Sequence, residues 1–350
     1  MIQNMQNQPN KRNPAASETL GGELAAGWDS SNRLPERLES FGILKQRTES
    51  FTTWAQNGGV PEIKDRQISK IFRKLDVCGS LLIFRQYTVQ NRTRLIGGCT
   101  CKMHLLCAFC AARRGVKNTM AYKAKVNQLM LENPDMDLML LTFTVENGED
   151  LLERKNHLAK SMQKLLKNRN EQTINRRGIV TEMSKFTGGV FAYEFKRGSG
   201  LKLWHPHIHM LALIPKGLRC DVAILKNEWL EITGDSCVIN IEKCFNDAAF
   251  LEVFAYALKF SEMTNEDRWY ASQLLRRDRL ISSFGSFRGV EVEESEMDEI
   301  LDTEEPYFDL IYSWCAGRYS LAHSVEINSK AEVERRTEAV RLSAEMRRAA

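Results

Sequence analysis

Apolar and polar positions alternate most clearly in the middle of the chain. Residues 137–145, DLMLLTFTV, are apolar and β-prone and predict a strand, and NGED then supplies a turn and helix-start acids. In LLERKNHLAKSMQKLLKNRN, the residues Leu151, Leu158, Met162, Leu165 and Leu166 fall on one stripe, with basic residues opposite, so this segment predicts an amphipathic helix. GGVFAYEFKRG (188–198) reads as a second strand, GSG as a hairpin-like break, and WHPHIHMLALIP as a third strand ended by Pro215. DVAILKNEWLEI reads as a helix, SCVINIEK as a fourth strand, and NDAAFLEVFAYALKFSEM (246–263) as one further helix.

The order is β-α-β-β-α-β, which predicts an α+β fold: a ferredoxin-like antiparallel sheet with helices on one face. Upstream, helical pattern runs with breaks from Glu36 toward Leu75, a cysteine-rich segment spans 78–114, and a basic helix stops before Pro134. Residues 1–35 are rich in Asn, Gln, Ser, Gly and Pro without periodicity and read as a disordered arm. The expected divisions are therefore the arm (1–35), a helical, Cys-rich segment (36–120), the sheet domain (121–265) and a helical C-terminal extension (266–350).

Charge adds a partner. The net +4 conceals residues 291–310, EVEESEMDEILDTEEPYFDL, whose ten acids face no Lys or Arg; without them the chain carries +14. A body this basic suits a polyanion, with nucleic acid the first candidate. The acidic stretch itself reads as a solvated surface segment. No apolar run reaches the roughly 18 residues that span a bilayer, and the N-terminus lacks an apolar secretion signal, so the expected location is the cytoplasm, with no membrane partner.

Candidate chemistry sits in two places. His205, His207 and His209 alternate and so project from one face of the third strand. Glu194 is the sole acid of the neighbouring strand, and a His-His-carboxylate set with open positions suits a divalent ion, Mg²⁺ or Mn²⁺, that clamps a phosphodiester oxygen. His205 precedes Pro206 at the strand's start and is a ligand, a substrate contact or a neighbour. Five of the nine cysteines lie within residues 78–110, and Cys107-x-x-Cys110 has zinc-knuckle spacing. Cys78 and Cys101 are the first choice to complete a structural Zn²⁺ site, with Cys99 and His104 as substitutes. Arg113 and Arg114, just beyond, are candidates for the DNA backbone.

LLTFTVENGE, WHPHIHML and EVFAYALKF, in that order, resemble the three motifs of the plasmid rolling-circle replication initiators, Rep proteins of the HUH endonuclease superfamily. The cysteine segment and SFGSFRGV resemble the same family, over roughly residues 70–320. The resemblance implies an HUH catalytic domain that nicks one strand of origin DNA, joins the 5′-phosphate to a tyrosine and frees a 3′-OH primer. Tyr256 occupies the third-motif position, although Ala255 precedes it where lysine is common in the family. Glu252 and Lys259 share its helix face. Lys259 would favour phenolate and hold a phosphate oxygen; Glu252 would activate water or the 3′-OH for closure, or anchor Lys259. A host helicase and a second copy of the chain are further expected partners. Two alternatives remain: another HUH enzyme, a relaxase or transposase, or a non-catalytic zinc-stabilised DNA-binding regulator.

Overall fold

The computed structural model describes residues 34–327 apart from 175, 177, 179, 198–202, 245–247, 255–262 and 302–304. Most of the expected arm, the GSG break and the charged segment after 327 lie outside the described residues. Those described form a mixed α+β fold with seven α-helices and two antiparallel sheets. None of these helices is long and apolar enough to cross a membrane.

The larger sheet is built from β3 (Met136–Thr144), β4 (Gly188–Arg197), β5 (Trp204–Pro215), β6 (Ile239–Lys243) and β7 (Ile281–Gly285), in the order β6-β3-β5-β4-β7. The four expected strands are present, and β7 adds a fifth at the edge of β4. Helix α4 (Leu151–Thr173) follows β3; its N-cap Asp150 accepts from Glu153 N and satisfies an otherwise orphaned donor. Helix α5 (Val222–Thr233) follows β5, capped by Asp221 and stopped at Gly234, whose φ of 75° is the left-handed turn that favours glycine.

Both faces of this sheet are buried. On one, Leu141, Phe143, Ile208 and Met210 pack against Leu158, Met162 and Leu165 of α4 and Leu225 and Trp229 of α5. On the other, Leu138, Leu140, Val190, Leu211 and Leu213 meet Tyr122, Val126 and Leu129 of α3 (Ala108–Glu132) and Phe250, Val253 and Phe254 of α6 (Ala248–Phe254). The expectation of helices on one face is thus corrected. Alternate positions of β5 are apolar on both sides, and a strand of that kind needs cover on both. The expected helix 246–263 is described as far as Phe254.

The second sheet has the order β2-β1-β8-β9, from β1 (Leu81–Tyr87), β2 (Arg92–Gly98), β8 (Tyr307–Cys315) and β9 (Arg318–Ile327). It packs with α1 (Leu34–Trp54) and α2 (Arg66–Val77) around Phe41, Phe51, Phe72, Leu82, Phe84 and Phe109. Among the described residues, the C-terminal region up to 327 is therefore not a helical extension. Within its described part, one helix, α7 (Asn265–Leu275), is followed by three strands, and β8 pairs with β1 more than 200 residues upstream.

The acidic stretch is also corrected, because it is fastened to the basic body. Glu296 is buried, and Asp298 joins Arg37 of α1 at 2.9 Å and Arg113 of α3 at 2.5 Å. Glu293 meets Lys117, and Asp309 meets Arg85. Buried cations need counter-charges, and this segment supplies them. Arg113, enclosed by Asp298 and the Glu296 carbonyl, is consequently unavailable to a DNA backbone.

Candidate active site and thiol cluster

Strand register assembles the histidine site. In β4–β5 pairing Glu194 lies opposite His207 and Ala192 opposite His209, while in β3–β5 pairing Thr142 lies opposite His209. Glu194, His207 and His209 thus share the face that α3 and α6 cover, and all three are buried. Glu194 Oε1 lies 3.0 Å from His207 Nε2, and Glu194 Oε2 lies 3.4 Å from His209 Nε2. One ligand atom from each residue falls within 4.8 Å of the others, a spacing that one cation can bridge.

The other ring nitrogens are held from behind. His207 Nδ1 is 3.3 Å from the His205 carbonyl, which can only accept, so Nδ1 is the nitrogen that donates there. His209 Nδ1 is 3.2 Å from Thr142 Oγ1 and 3.5 Å from Glu252 Oε1. Such outer contacts fix ring orientation at metal sites. The electrostatics agree: burial lowers the His207 pKa, keeping it neutral. Burial alone would raise Glu194, but the two imidazoles prevail and hold it well below the usual carboxylate range. A buried carboxylate beside two imidazoles is a donor set that fits a divalent cation.

His205 is not brought into the cluster. Its Nδ1 bonds Asn147 Oδ1, its ring centroid stands 5.3 Å from that of His207, and burial pushes its pKa down to about 4. Glu252, on α6, is placed beside His209 and remains partly exposed. Tyr256 and Lys259 lie outside the described residues. Thr142 and Asn147 escaped the sequence reading. Thr142 had a signal, being a polar residue on the strand face that carries Leu138 and Leu140. Asn147 had none, since its partner His205 lies 58 residues downstream.

The four first-choice cysteines converge. Cys78 ends α2, Cys101 follows β2, and Cys107 caps the start of α3, one turn from Cys110. Cys78 Sγ lies 3.5 Å from both Cys107 Sγ and Cys110 Sγ, and Cys101 Sγ lies 3.7 Å from Cys110 Sγ. Four sulfurs at about 2.3 Å from a tetrahedral zinc stand about 3.8 Å apart. Backbone amides of Cys101 and Cys110 point at the sulfurs of Cys78 and Cys107. Hydrogen bonds from Cys101, Cys110 and Cys78 hold the Cys107 thiol well below its ordinary pKa. The donor set fits zinc. Neither substitute joins it: His104 pairs with Glu296 at 2.8 Å, and Cys99 lies outside the group.

Comparison with known proteins adds one positive finding. A family model described as "Replication protein" (Rep_1) matches residues 92–309, a span containing Cys101, Cys107 and Cys110, the Glu194–His207–His209 cluster and Glu252. No curated protein and no solved structure matches. The match covers more than half of the 350 residues, and the chain belongs to the Rep_1 family of replication proteins.

Proposed function

We propose that this replication protein initiates rolling-circle replication by nicking one strand of plasmid origin DNA through a covalent tyrosyl intermediate. The observation that carries the reading is the buried Glu194–His207–His209 cluster, placed on adjacent strands of a sheet in the order β6-β3-β5-β4. The β-α-β-β-α-β connectivity of these four strands is that of a ferredoxin-like fold, which supports the reading. In this reading residues 121–265 are the catalytic domain, and the Cys-rich segment before it is a structural zinc module.

Each residue has a role. Glu194, His207 and His209 hold Mg²⁺ or Mn²⁺, with His205 beside them as a substrate contact. When bound, the ion polarises the scissile phosphate and offsets charge in the transition state. The Tyr256 oxygen attacks phosphorus, the bond to the 3′ oxygen breaks, and that oxygen leaves with a proton as the primer 3′-OH. Lys259 holds a phosphate oxygen and favours phenolate, which matters because a free tyrosine has a pKa of about 10. Glu252, whose carboxylate borders His209, takes the proton of the attacking hydroxyl in the closing reaction. Cys78, Cys101, Cys107 and Cys110 hold a Zn²⁺ closed to substrate.

The test is cleavage of a supercoiled plasmid carrying the gene and its flanking DNA, with Mn²⁺ or Mg²⁺ added. Wild type should give a nick that EDTA abolishes, and His207→Ala should give none. DNA binding without cleavage under any divalent ion would instead favour the non-catalytic regulator.

A further inference from the structure

Helix α2 presents a face that the catalytic reading leaves unused. Arg66, Lys70, Arg73 and Lys74 are all exposed, and at 100° per residue they fall within one arc of about 100°. Val77, 54% exposed, lies on the same arc. The opposite side is anchored: Phe72 and Leu75 are buried, and the Phe72 ring stands 5.9 Å from Phe51 and 5.5 Å from Trp269. None of the four cations has an ion-pair partner among the described residues, unlike Arg37, Arg85, Arg113 and Lys117, each of which meets an acid.

We propose that this face of α2 docks duplex DNA at the origin, delivering to the nicking site a strand that the metal cluster itself does not select. The proposal rests on the reading of the chain as an origin nickase. Four cations spread over nine residues cover about 12 Å of helix, comparable to the width of the B-DNA major groove. Single-stranded DNA fits less well, because its binding surfaces stack bases on aromatic side chains and the exposed arc of α2 carries none. The helix is also held at its end. Cys78, its C-cap, belongs to the thiol cluster, so the group proposed to bind zinc fixes the direction in which the basic face points.

The experiment uses the full chain with short duplex fragments tiling the DNA that flanks the gene, and separately their single strands. Arg66→Gln, Lys70→Gln, Arg73→Gln and Lys74→Gln are combined in one variant. A control variant replaces the exposed Lys160, Lys164 and Lys167 of α4 by Gln. The α2 variant should bind the preferred duplex at least about tenfold more weakly. Its plot of log affinity against log salt should flatten by about 3 to 4, one unit per lost phosphate contact. Its thermal transition and its metal-dependent cleavage of the single strand should match wild type, and the control should keep its duplex affinity. Duplex affinity within twofold of wild type overturns the proposal, as does an equal loss in the control. If the α2 variant alone loses duplex binding but wild type cleaves nothing, the docking surface stands and the nickase reading fails.

Discussion

His207 and His209 are ordinary strand residues made into metal-ligand candidates by what stands behind them. The His205 carbonyl and Thr142 Oγ1 occupy their Nδ1 atoms and turn both Nε2 atoms toward Glu194. Replacing either histidine by Ala should lower metal-dependent nicking by at least about 100-fold, since even outer-shell changes at metal sites cost 10–100-fold. Thr142→Val should weaken Mn²⁺ binding by about tenfold, read by electron paramagnetic resonance, without altering the fold. Unchanged affinity would show that Thr142 does not orient the ring. His205 gives a pH signature. Its ordinary pKa of 6.5 is lowered to about 4, first by burial and then by His207. Between those values the unfolded chain binds the proton and the native ring does not, so stability falls as pH drops from 6.5 toward 4. His205→Gln should flatten that part of a urea-midpoint-against-pH profile. The Glu194–His207 pairing was readable in advance, because a hairpin between two recognisable strands fixes which residues face each other.

At the scale of elements, the acidic stretch works as a clasp. Asp298 accepts from Arg37 of α1, Arg113 of α3 and the Leu95 amide of β2, and so ties three elements together. Burial would raise its pKa, but Arg113 and Arg37 outweigh that and hold it well below the usual carboxylate range. The sign follows: its contribution is complete above the unfolded value of about 3.9 and is lost as pH falls through the native one. Asp298→Ala should cost about 3 kcal/mol or more, because it strands two buried guanidinium groups. A loss under 1 kcal/mol by urea unfolding would refute the clasp. Nothing in EVEESEMDEI announces this role, since its partners lie about 180 residues or more upstream and composition alone reads as solvated. The second covered face of the large sheet was more legible. The unbroken apolar run MLALI in β5 is a sign of burial on both sides.

Across the whole molecule, the two ends of the described chain form one sheet. β8 pairs with β1 from Tyr87↔Tyr307 to Leu81↔Ser313, beside the hairpin that leads to Cys101. Deleting residues 307–350 should therefore expose β1, loosen the Cys78–Cys110 cluster and lower zinc content from one atom per chain, measured by elemental analysis. Full zinc retention would show that the module folds without its C-terminal partner. This pairing was illegible in sequence because nothing local encodes a strand's partner two hundred residues away. The catalytic reading depends on a different link, the assignment of Tyr256 as the nucleophile that acts with the buried cluster. Its most direct test is to nick plasmid with the wild-type protein, digest protein and DNA, and find by mass spectrometry the peptide that carries a nucleotide 5′-phosphate. The account predicts one adduct, on Tyr256, that disappears in Tyr256→Phe together with the nick. Cleavage with no adduct, or with an adduct on another residue that survives Tyr256→Phe, would contradict it.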